Sequence, residues 1–296
     1  MEEHNEGLTV LFVKEDRLLT QHGHNGYEAF VQAWQDALSF ARVGEEELAG
    51  FLAQNAADPL VLVSSRQKDL DVAQEYGTAH VGFEDTQRLS ASQIVLSWDA
   101  LSPSYLYKVY ARAHGLPVTV LRTEHCILRE ITLEDLDDLY TIYADPRITR
   151  FMEPLYADRK QEEDYTRAYI ENIYGFYDFG MWIVEDRASG RIIGRAGVDM
   201  RVIDGENEPE LGYMIAVPYQ GQGLAQEVCR AVLAYVWENT GYERVHCMVE
   251  PEHAVSIHIA EKLGFRYLGD CDVQGVRMQH YISDRDASFV FSDTEC

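Results

Sequence analysis

The fold is decided by the stretch Gly212–Ala225, GYMIAVPYQGQGLA, and by the run that continues it to Trp237. An apolar strand ends at Pro218 and a turn with two glycines follows. Apolar residues then recur with helical spacing, at Val228, Val232, Leu233 and Val236. Gly221 and Gly223 allow the backbone to approach a ligand closely, and the first N–H groups of a helix have no partner within it. Because the helix dipole adds to these donors, the stretch predicts a strand, a phosphate-binding turn and a helix.

Three ordered segments resemble the GCN5-related N-acetyltransferase (GNAT) family. Gln220-x-x-Gly223-x-Ala225 resembles its acetyl-CoA signature, Gln/Arg-x-x-Gly-x-Gly/Ala. Ile127–Leu136, ILREITLEDL, resembles its first strand and a helix capped by Thr132, with Asp135 in the first turn. Val249–Gly269, VEPEHAVSIHIAEKLGFRYLG, resembles its fifth-strand exit, fourth helix and closing Gly-Phe. The resemblance covers about residues 120–285 and is greatest for the subgroup that includes the ribosomal-protein N-terminal acetyltransferases.

The resemblance implies that acetyl-CoA is the cosubstrate. It assigns the contacts with acetyl-CoA to Ile215, Val217, Gln220, Gly221, Gln222, Gly223, Leu224, Ala225, His253 and Lys262. His253 stands where the subgroup usually has Asn. The backbone N–H of Ile215 or Val217 is expected to stabilise the charge that develops on the carbonyl oxygen during acetyl transfer.

The chemistry also requires a base and an acid. An alkylamine has a pKa of about 10.4, so a base must remove its proton at neutral pH. Strand alternation places Glu210 on the same face as Gly212 and Met214, and we predict Glu210 as the base, with Glu208 in reserve. The resemblance implies Ser256 as the acid for the departing thiolate. The alternatives are that Glu210 is a solvent-facing carboxylate and that Ser256 only begins a helix.

Composition limits the remaining functions. The 296 residues carry a formal net charge of −25, which disfavours nucleic-acid binding. The five cysteines form no Cys-x-x-Cys pair, and the histidines lack metal-site spacing, so neither disulfides nor a metal are expected. Cys247 has no adjacent base, which disfavours a covalent acyl-cysteine route. No membrane segment or signal peptide is recognisable, and the chain is expected to be cytoplasmic.

Residues 1–119 have a different pattern, in which short apolar runs alternate with helical stretches. The runs are Leu8 to Val13, Leu60 to Val63, His80 to Phe83, Ile94 to Leu96 and Val118 to Leu121. This alternation predicts a parallel sheet in a Rossmann-like domain. The region also distantly resembles a degenerate haloacid-dehalogenase (HAD)-like domain, in which Val13 stands at the position of the nucleophilic aspartate and Glu15 at that of the second aspartate. An unrelated Rossmann-like domain is the alternative.

The sequence therefore predicts an α/β protein with a Rossmann-like domain over 1–119 and a GNAT domain over 120–296. We expect an acetyl-CoA-dependent N-acetyltransferase in which a primary amine attacks directly in a ternary complex. The candidate acceptors are a peptide N-terminus, a polyamine or aminoglycoside, and an amino-acid-like metabolite. The alternative function is a non-catalytic acyl-CoA-binding regulator. The sequence does not predict an oligomeric state.

Overall fold

The computed structural model describes residues 7–20, 24–203 and 205–285. The chain divides into two compact units, Met1–Val118 and Thr119–Cys296. The division lies one residue before the boundary expected from the sequence. No helix in the described ranges is long and apolar enough to cross a membrane.

The first unit is an α/β unit built on a parallel sheet. Its strands are β1 (Thr9–Val13), β2 (Ser39–Val43), β3 (Leu60–Ser64), β4 (Ala79–Phe83) and β5 (Ile94–Val95). Its helices are α1 (Arg17–Thr20), α2 (His24–Trp34), α3 (Leu48–Gln54), α4 (Gln67–Glu75) and α5 (Pro103–Ala113). The strand order is β2-β1-β3-β4-β5, and every pair is parallel. Two apolar clusters, one on each face, bury the central strands, as expected for a sheet covered on both sides.

The sequence placed one strand in the wrong unit and missed another. The run Val118 to Leu121 was expected in the first domain, but its strand pairs antiparallel with the second unit's sheet. Strand β2 was missed because it contains Ser39 and Arg42 and lies at the sheet edge, where burial imposes little apolar character. The parallel sheet predicted from the alternation of apolar runs and helical stretches is observed.

A buried polar network lies at the carboxyl ends of β1 and β3, where the strand order reverses. The Asp16 carboxylate, fully buried, accepts hydrogen bonds from the Ser65 N–H at 2.8 Å and from the hydroxyls of Ser64 and Ser65 at 2.6 and 2.5 Å. Asp69 pairs with Arg66 at 2.8 Å and also contacts the Ser64 hydroxyl, at 2.7 Å. These contacts occupy the switch point, where open α/β sheets usually bind ligands.

The second unit contains an eight-stranded sheet. Its strands are β6 (Thr119–Arg122), β7 (Cys126–Arg129), β8 (Met181–Asp186), β9 (Ile192–Ile203), β10 (Glu206–Ile215), β11 (Arg244–Val249), β12 (Arg266–Val273) and β13 (Val276–Asp284). Its helices are α6 (Leu136–Tyr143), α7 (Pro146–Thr149), α8 (Arg159–Tyr169), α9 (Gly175–Tyr177), α10 (Leu224–Asn239) and α11 (Ala254–Lys262). The strand order is β12-β13-β11-β10-β9-β8-β7-β6. The pair β10–β11 is parallel and the others are antiparallel, because α10 carries the chain from β10 across to β11.

The two faces of this sheet differ in polarity. Trp182 of β8 packs edge-on against Tyr235 of α10, with ring centroids 5.0 Å apart, so the face that contains Trp182 is covered by α10. Register and alternation place a set of polar side chains on the opposite face, which is called the polar face below. Its members are Arg195, Asp199, Arg201, Glu208, Glu210 and His246. Helix α8 lies over this face, since Tyr169 hydrogen-bonds Asp199.

The first helical segment of the second unit begins at the predicted capping residue, Thr132, and the Asp135 side chain is the hydrogen-bond acceptor there. Thr132 precedes a 3-10 turn, Leu133–Asp135, that leads into α6. The Asp135 carboxylate accepts from the Thr132 N–H at 2.7 Å and also binds Arg129 with two hydrogen bonds, at 2.7 and 2.8 Å. Asp135 thus joins the helix start to the end of β7.

Candidate active site

A split between β10 and β11 is the central feature of the site. The two strands are joined by a single register pair, Glu210 with His246, and β10 then continues to Ile215 without pairing β11. The Ala216 N–H donates to the Ile193 carbonyl at 2.7 Å, so Ile215 occupies a non-hydrogen-bonded position of the β9–β10 pair. The N–H and C=O of Ile215 therefore point away from β9 and into the split.

The turn after β10 presents backbone donors at the end of this split. Gly221 and Gly223 have φ values of +74° and +85°, a region that other residues adopt at a cost. In the described part of the chain, the N–H groups of residues 221–226 have no acceptor. Gln220 Nε2 donates to the Ile215 carbonyl at 2.8 Å and fixes the turn against the strand. Free N–H groups at the start of a 16-residue helix fit a pyrophosphate, so the residues present suit acetyl-CoA.

The other predicted acetyl-CoA contacts lie around this turn or on α11. Val217 begins a 3-10 turn, Val217–Tyr219, and Gln222 Nε2 donates to the Pro218 carbonyl at 3.2 Å. Leu224 is buried in the core and Ala225 is partly buried against the same core. Lys262 is exposed at the end of α11.

His253 has a packing role that the sequence did not reveal. It is the residue before α11, and its ring stacks on Phe151 with centroids 4.1 Å apart and planes 6° from parallel. Burial lowers the pKa of His253, which favours the neutral ring. The stack connects α11 to the segment between α7 and α8.

Glu210 lies on the polar face, at the point where β10 and β11 separate. Its side chain is 14% exposed and forms an ion pair with Arg201, which is 49% exposed. Burial raises the pKa of the Glu210 carboxyl, Arg201 opposes this rise, and a hydrogen bond from the Met248 backbone also stabilises the charged form. Asp199, directly across the β9–β10 pair, adds to the rise. A carboxylate with a raised pKa is a stronger base than an exposed one, and this suits proton removal.

Ser256 lies in the first turn of α11 and is buried. Its hydroxyl is 2.8 Å from the hydroxyl of Tyr213, a β10 residue on the face opposite to Glu210. Burial raises the pKa of Tyr213 well above its usual value, so this phenol keeps its proton. The contact connects β10 to α11 where β10 no longer pairs with β11. Sequence reasoning missed Tyr213, which alternation from Glu210 places on the other face of the strand.

Two more polar-face residues escaped sequence reasoning. Asp199 accepts a hydrogen bond from Tyr169 at 2.6 Å, and the Arg195 guanidinium lies near Tyr143, Tyr169 and Tyr174. The signal was present in β9, where Arg195, Asp199 and Arg201 share one face of an otherwise apolar strand.

The remaining candidates have structural surroundings. Cys247 is buried, and burial raises the pKa of its thiol to about 12, so a thiolate is scarce at neutral pH. Tyr267, whose phenol could in principle also supply a proton, is 53% exposed and donates to Asp270 at 2.7 Å. No three His, Cys, Asp or Glu side chains among the described residues are grouped as metal ligands.

Comparison with known proteins supports assignment of the chain to an acetyltransferase family. The family model for the acetyltransferase (GNAT) domain matches residues 125–266. The chain is 30% identical over 150 residues to the uncharacterized protein YkkB of Bacillus subtilis (strain 168). The aligned region covers 50% of this chain and 86% of YkkB. It is also 30% identical over 151 residues to the uncharacterized N-acetyltransferase p20 of Bacillus licheniformis, covering 50% of this chain and 83% of p20.

Solved structures of acetyltransferases also resemble this chain. An acetyltransferase (GNAT family) from Bacillus anthracis aligns with a TM-score of 0.44 and 20% identity, over 55% of this chain and 95% of that one. The ribosomal-protein-S5-alanine acetyltransferase from Vibrio fischeri aligns with a TM-score of 0.47 and 16% identity, over 56% and 97%. The family match and the curated relatives show that the chain is an N-acetyltransferase and belongs to the GNAT family.

Proposed function

We propose that the second unit transfers an acetyl group from acetyl-CoA to a primary amine by direct attack in a ternary complex. The observation that carries this proposal is the split between β10 and β11. It places the Ile215 N–H in the gap, with Glu210 on one face of β10 and Tyr213 with Ser256 on the other. When bound, acetyl-CoA supplies the activated acetyl group as a thioester.

Glu210 removes the proton of the acceptor amine, directly or through water. The carboxylate is partly buried, and its position at the last paired residue of β10 places it beside the split. Burial raises the pKa of Glu210 and so increases its basicity, and the charge of Arg201 opposes this rise. Glu208, two residues earlier on the same face, is the reserve base.

The backbone around the split holds acetyl-CoA and stabilises developing charge. The free N–H groups of the turn at 221–226 bind the pyrophosphate, and the Ile215 N–H donates to the carbonyl oxygen as it becomes negative. Val217 is the second candidate for that donor. His253 and Lys262 contact the CoA arm from the two ends of α11.

The pair formed by Ser256 and Tyr213 returns a proton to the thiolate. Ser256 gives its hydroxyl proton to the thiolate sulfur and regains one from solvent, while Tyr213, 2.8 Å away, keeps its own proton and donates a hydrogen bond to the Ser256 oxygen. A covalent route through Cys247 is disfavoured, since burial keeps that thiol protonated.

The deciding experiment is an amine screen with the full chain. Release of free CoA from acetyl-CoA would be followed with and without a library of peptides, polyamines, aminoglycosides and amino-acid derivatives. Stimulation by one class, with the acetylated amine identified by mass spectrometry, supports the proposal. CoA binding without acetylation of any amine would favour the alternative, a non-catalytic acyl-CoA-binding regulator.

For the first unit we propose a non-catalytic role in a HAD-like or Rossmann-like fold. Val13, at the position of the expected nucleophile, is an aliphatic residue and fully buried. Asp16 is the nearest buried carboxylate in sequence, and its oxygens are taken up by Ser64 and Ser65. Both features favour a structural or regulatory unit.

A further inference from the structure

Asp199 is a carboxylate in the acceptor region that influences the pKa of Glu210 but has no assigned contact with the acceptor. It lies on β9 directly across from Glu210, on the same face of the sheet. The Tyr169 hydroxyl accepts a hydrogen bond from the Met181 N–H at 2.7 Å and donates one to Asp199 Oδ1 at 2.6 Å. Burial and the charge of Asp199 raise the pKa of Tyr169, so it remains a donor. The carboxylate is therefore held in one orientation.

The second oxygen of Asp199 is available to a ligand. Within the described residues, no hydrogen bond or ion pair involves Asp199 Oδ2, and the side chain is partly exposed. The nearest cation on the same strand pairs elsewhere, since Arg201 binds Glu210. Arg195, on the same face of β9, interacts with Asp199 through its charge, and no hydrogen bond or ion pair joins the two side chains among the described residues.

A row of tyrosine rings leads from the surface to this carboxylate. Tyr156 and Tyr165 are 51% and 49% exposed, and their ring centroids are 5.9 Å apart. Tyr165 is 6.2 Å from the buried ring of Tyr169, which holds Asp199. Both backbone polar groups of Tyr156 are hydrogen-bonded. The Tyr156 N–H donates to the Glu162 carboxylate at 2.8 Å, and the Tyr140 hydroxyl donates to the Tyr156 C=O at 2.7 Å.

We propose that Asp199 and the Tyr165 ring bind a second cationic group of the acceptor, which makes the preferred substrate a diamine or polyamine. Aromatic faces next to a carboxylate attract ammonium groups, because the ring quadrupole and the negative charge act together. The reacting amine must lose its proton near Glu210, whereas a distal ammonium keeps its charge and can stay on Asp199. The inference rests on the proposed function of the same site.

The test compares three acceptors that share the reacting amine and the chain length: pentylamine, pentane-1,5-diamine and 5-aminopentanoate. For the wild-type chain we expect the highest kcat/KM with the diamine and the lowest with the carboxylate. Asp199→Asn keeps an acceptor for the Tyr169 hydroxyl. It should raise KM for the diamine about 10-fold or more, as expected for loss of a hydrogen bond to a charged group. Because loss of the Asp199 charge lowers the pKa of Glu210, kcat is compared on the pH plateau above the acid limb, where it should change far less than KM. KM for pentylamine should change little.

Two variants of Tyr165 distinguish the contribution of its aromatic ring from that of its hydroxyl. Tyr165→Leu should raise the diamine KM roughly 2- to 5-fold, the size of an exposed cation–π contact, whereas Tyr165→Phe should keep the wild-type value. The control is Asp164→Asn, on the solvent side of the same helix, where the carboxylate pairs with Lys160. It removes the same charge and should leave all three acceptors unaffected.

Failure of this inference and failure of the proposed function give different results. If pentylamine is acetylated as well as the diamine, or if Asp199→Asn affects both equally, the inference is wrong while the proposed function stands. A preference for 5-aminopentanoate would also overturn it and would point to Arg195. Failure of the wild-type chain to acetylate any amine would overturn both.

Discussion

Replacing Glu210 by Gln tests the proposed base directly. The change removes one charge and keeps the shape of the side chain. Positioned acids and bases contribute about 10²–10⁴ to the rate. We therefore expect kcat to fall about 100-fold or more at neutral pH, equivalent to about 2.7 kcal/mol at 1.36 kcal/mol per factor of ten. The measurement is initial-rate kinetics over a pH series with a saturating amine.

The structure also predicts that this variant stays folded. Burial raises the pKa of Glu210 in the folded protein, so this carboxyl stabilises the fold most below its unfolded pKa. That contribution is lost as the pH rises through the folded pKa, and neutral Gln avoids this loss at pH 7. The ion pair with Arg201 is about half exposed and is worth about 0–1 kcal/mol. The change in unfolding free energy should thus be well below the change in activation free energy.

The pH profile distinguishes a base from a carboxylate that only attracts the amine. In the wild type, kcat/KM should fall on the acid side as Glu210 is protonated, and Glu210→Gln should remove this limb. Arg201→Gln is the matched control, because it keeps the carboxylate but removes the cation that lowers its pKa. Its acid limb should move to higher pH. A Glu210→Gln enzyme with wild-type kcat and only a raised acceptor KM would refute the reasoning and make Glu208 the next candidate.

Three other predictions follow from the same geometry. Gly223→Val should reduce CoA affinity in calorimetry, because φ is +85° and a β-branched residue must shift the turn; unchanged affinity in a folded variant would exclude a pyrophosphate site there. Ser256→Ala and Tyr213→Phe should each lower kcat while leaving acetyl-CoA affinity nearly intact, and wild-type kcat in both would exclude the proposed acid role of Ser256 supported by Tyr213. Residues 1–118 should release no phosphate from small phosphoesters with Mg²⁺; release that is lost when this unit is deleted would contradict the non-catalytic assignment.

Local sequence patterns predicted the elements around the turn well, since a strand, two glycines and a helix are specified by neighbouring residues. Alternation along β10 also placed Glu210 on a single face. The partners were not predictable in this way. The contact of Tyr213 with Ser256 spans 43 positions, and that of Tyr169 with Asp199 spans 30. Such pairs depend on strand register and helix placement, which a local pattern does not contain.

The boundary between the units shows the same limit. Apolar character identified a strand near residue 120. Which of the two sheets this strand joins depends on its hydrogen bonding to β7, and β7 itself has only a short apolar pattern. Strand β2 shows the converse, because an edge strand with polar residues is defined by pairing with β1 more than by its own composition. In both cases the missing information was the partner strand.

The arrangement of the site on two faces of β10 has a mechanistic consequence. Glu210 lies on the polar face beneath α8, whereas Tyr213 reaches Ser256 on the other face, and the Ile215 N–H points into the gap between β10 and β11. The amine can therefore approach from one side of the sheet while the thiol leaves from the other. In the proposed mechanism a base and an acid on opposite faces cannot exchange protons directly, so Glu210 would not return a proton to the thiolate. This separation favours direct attack with two independent proton transfers, and we therefore expect Glu210→Gln to remove the acid limb of the pH profile while Ser256→Ala retains it.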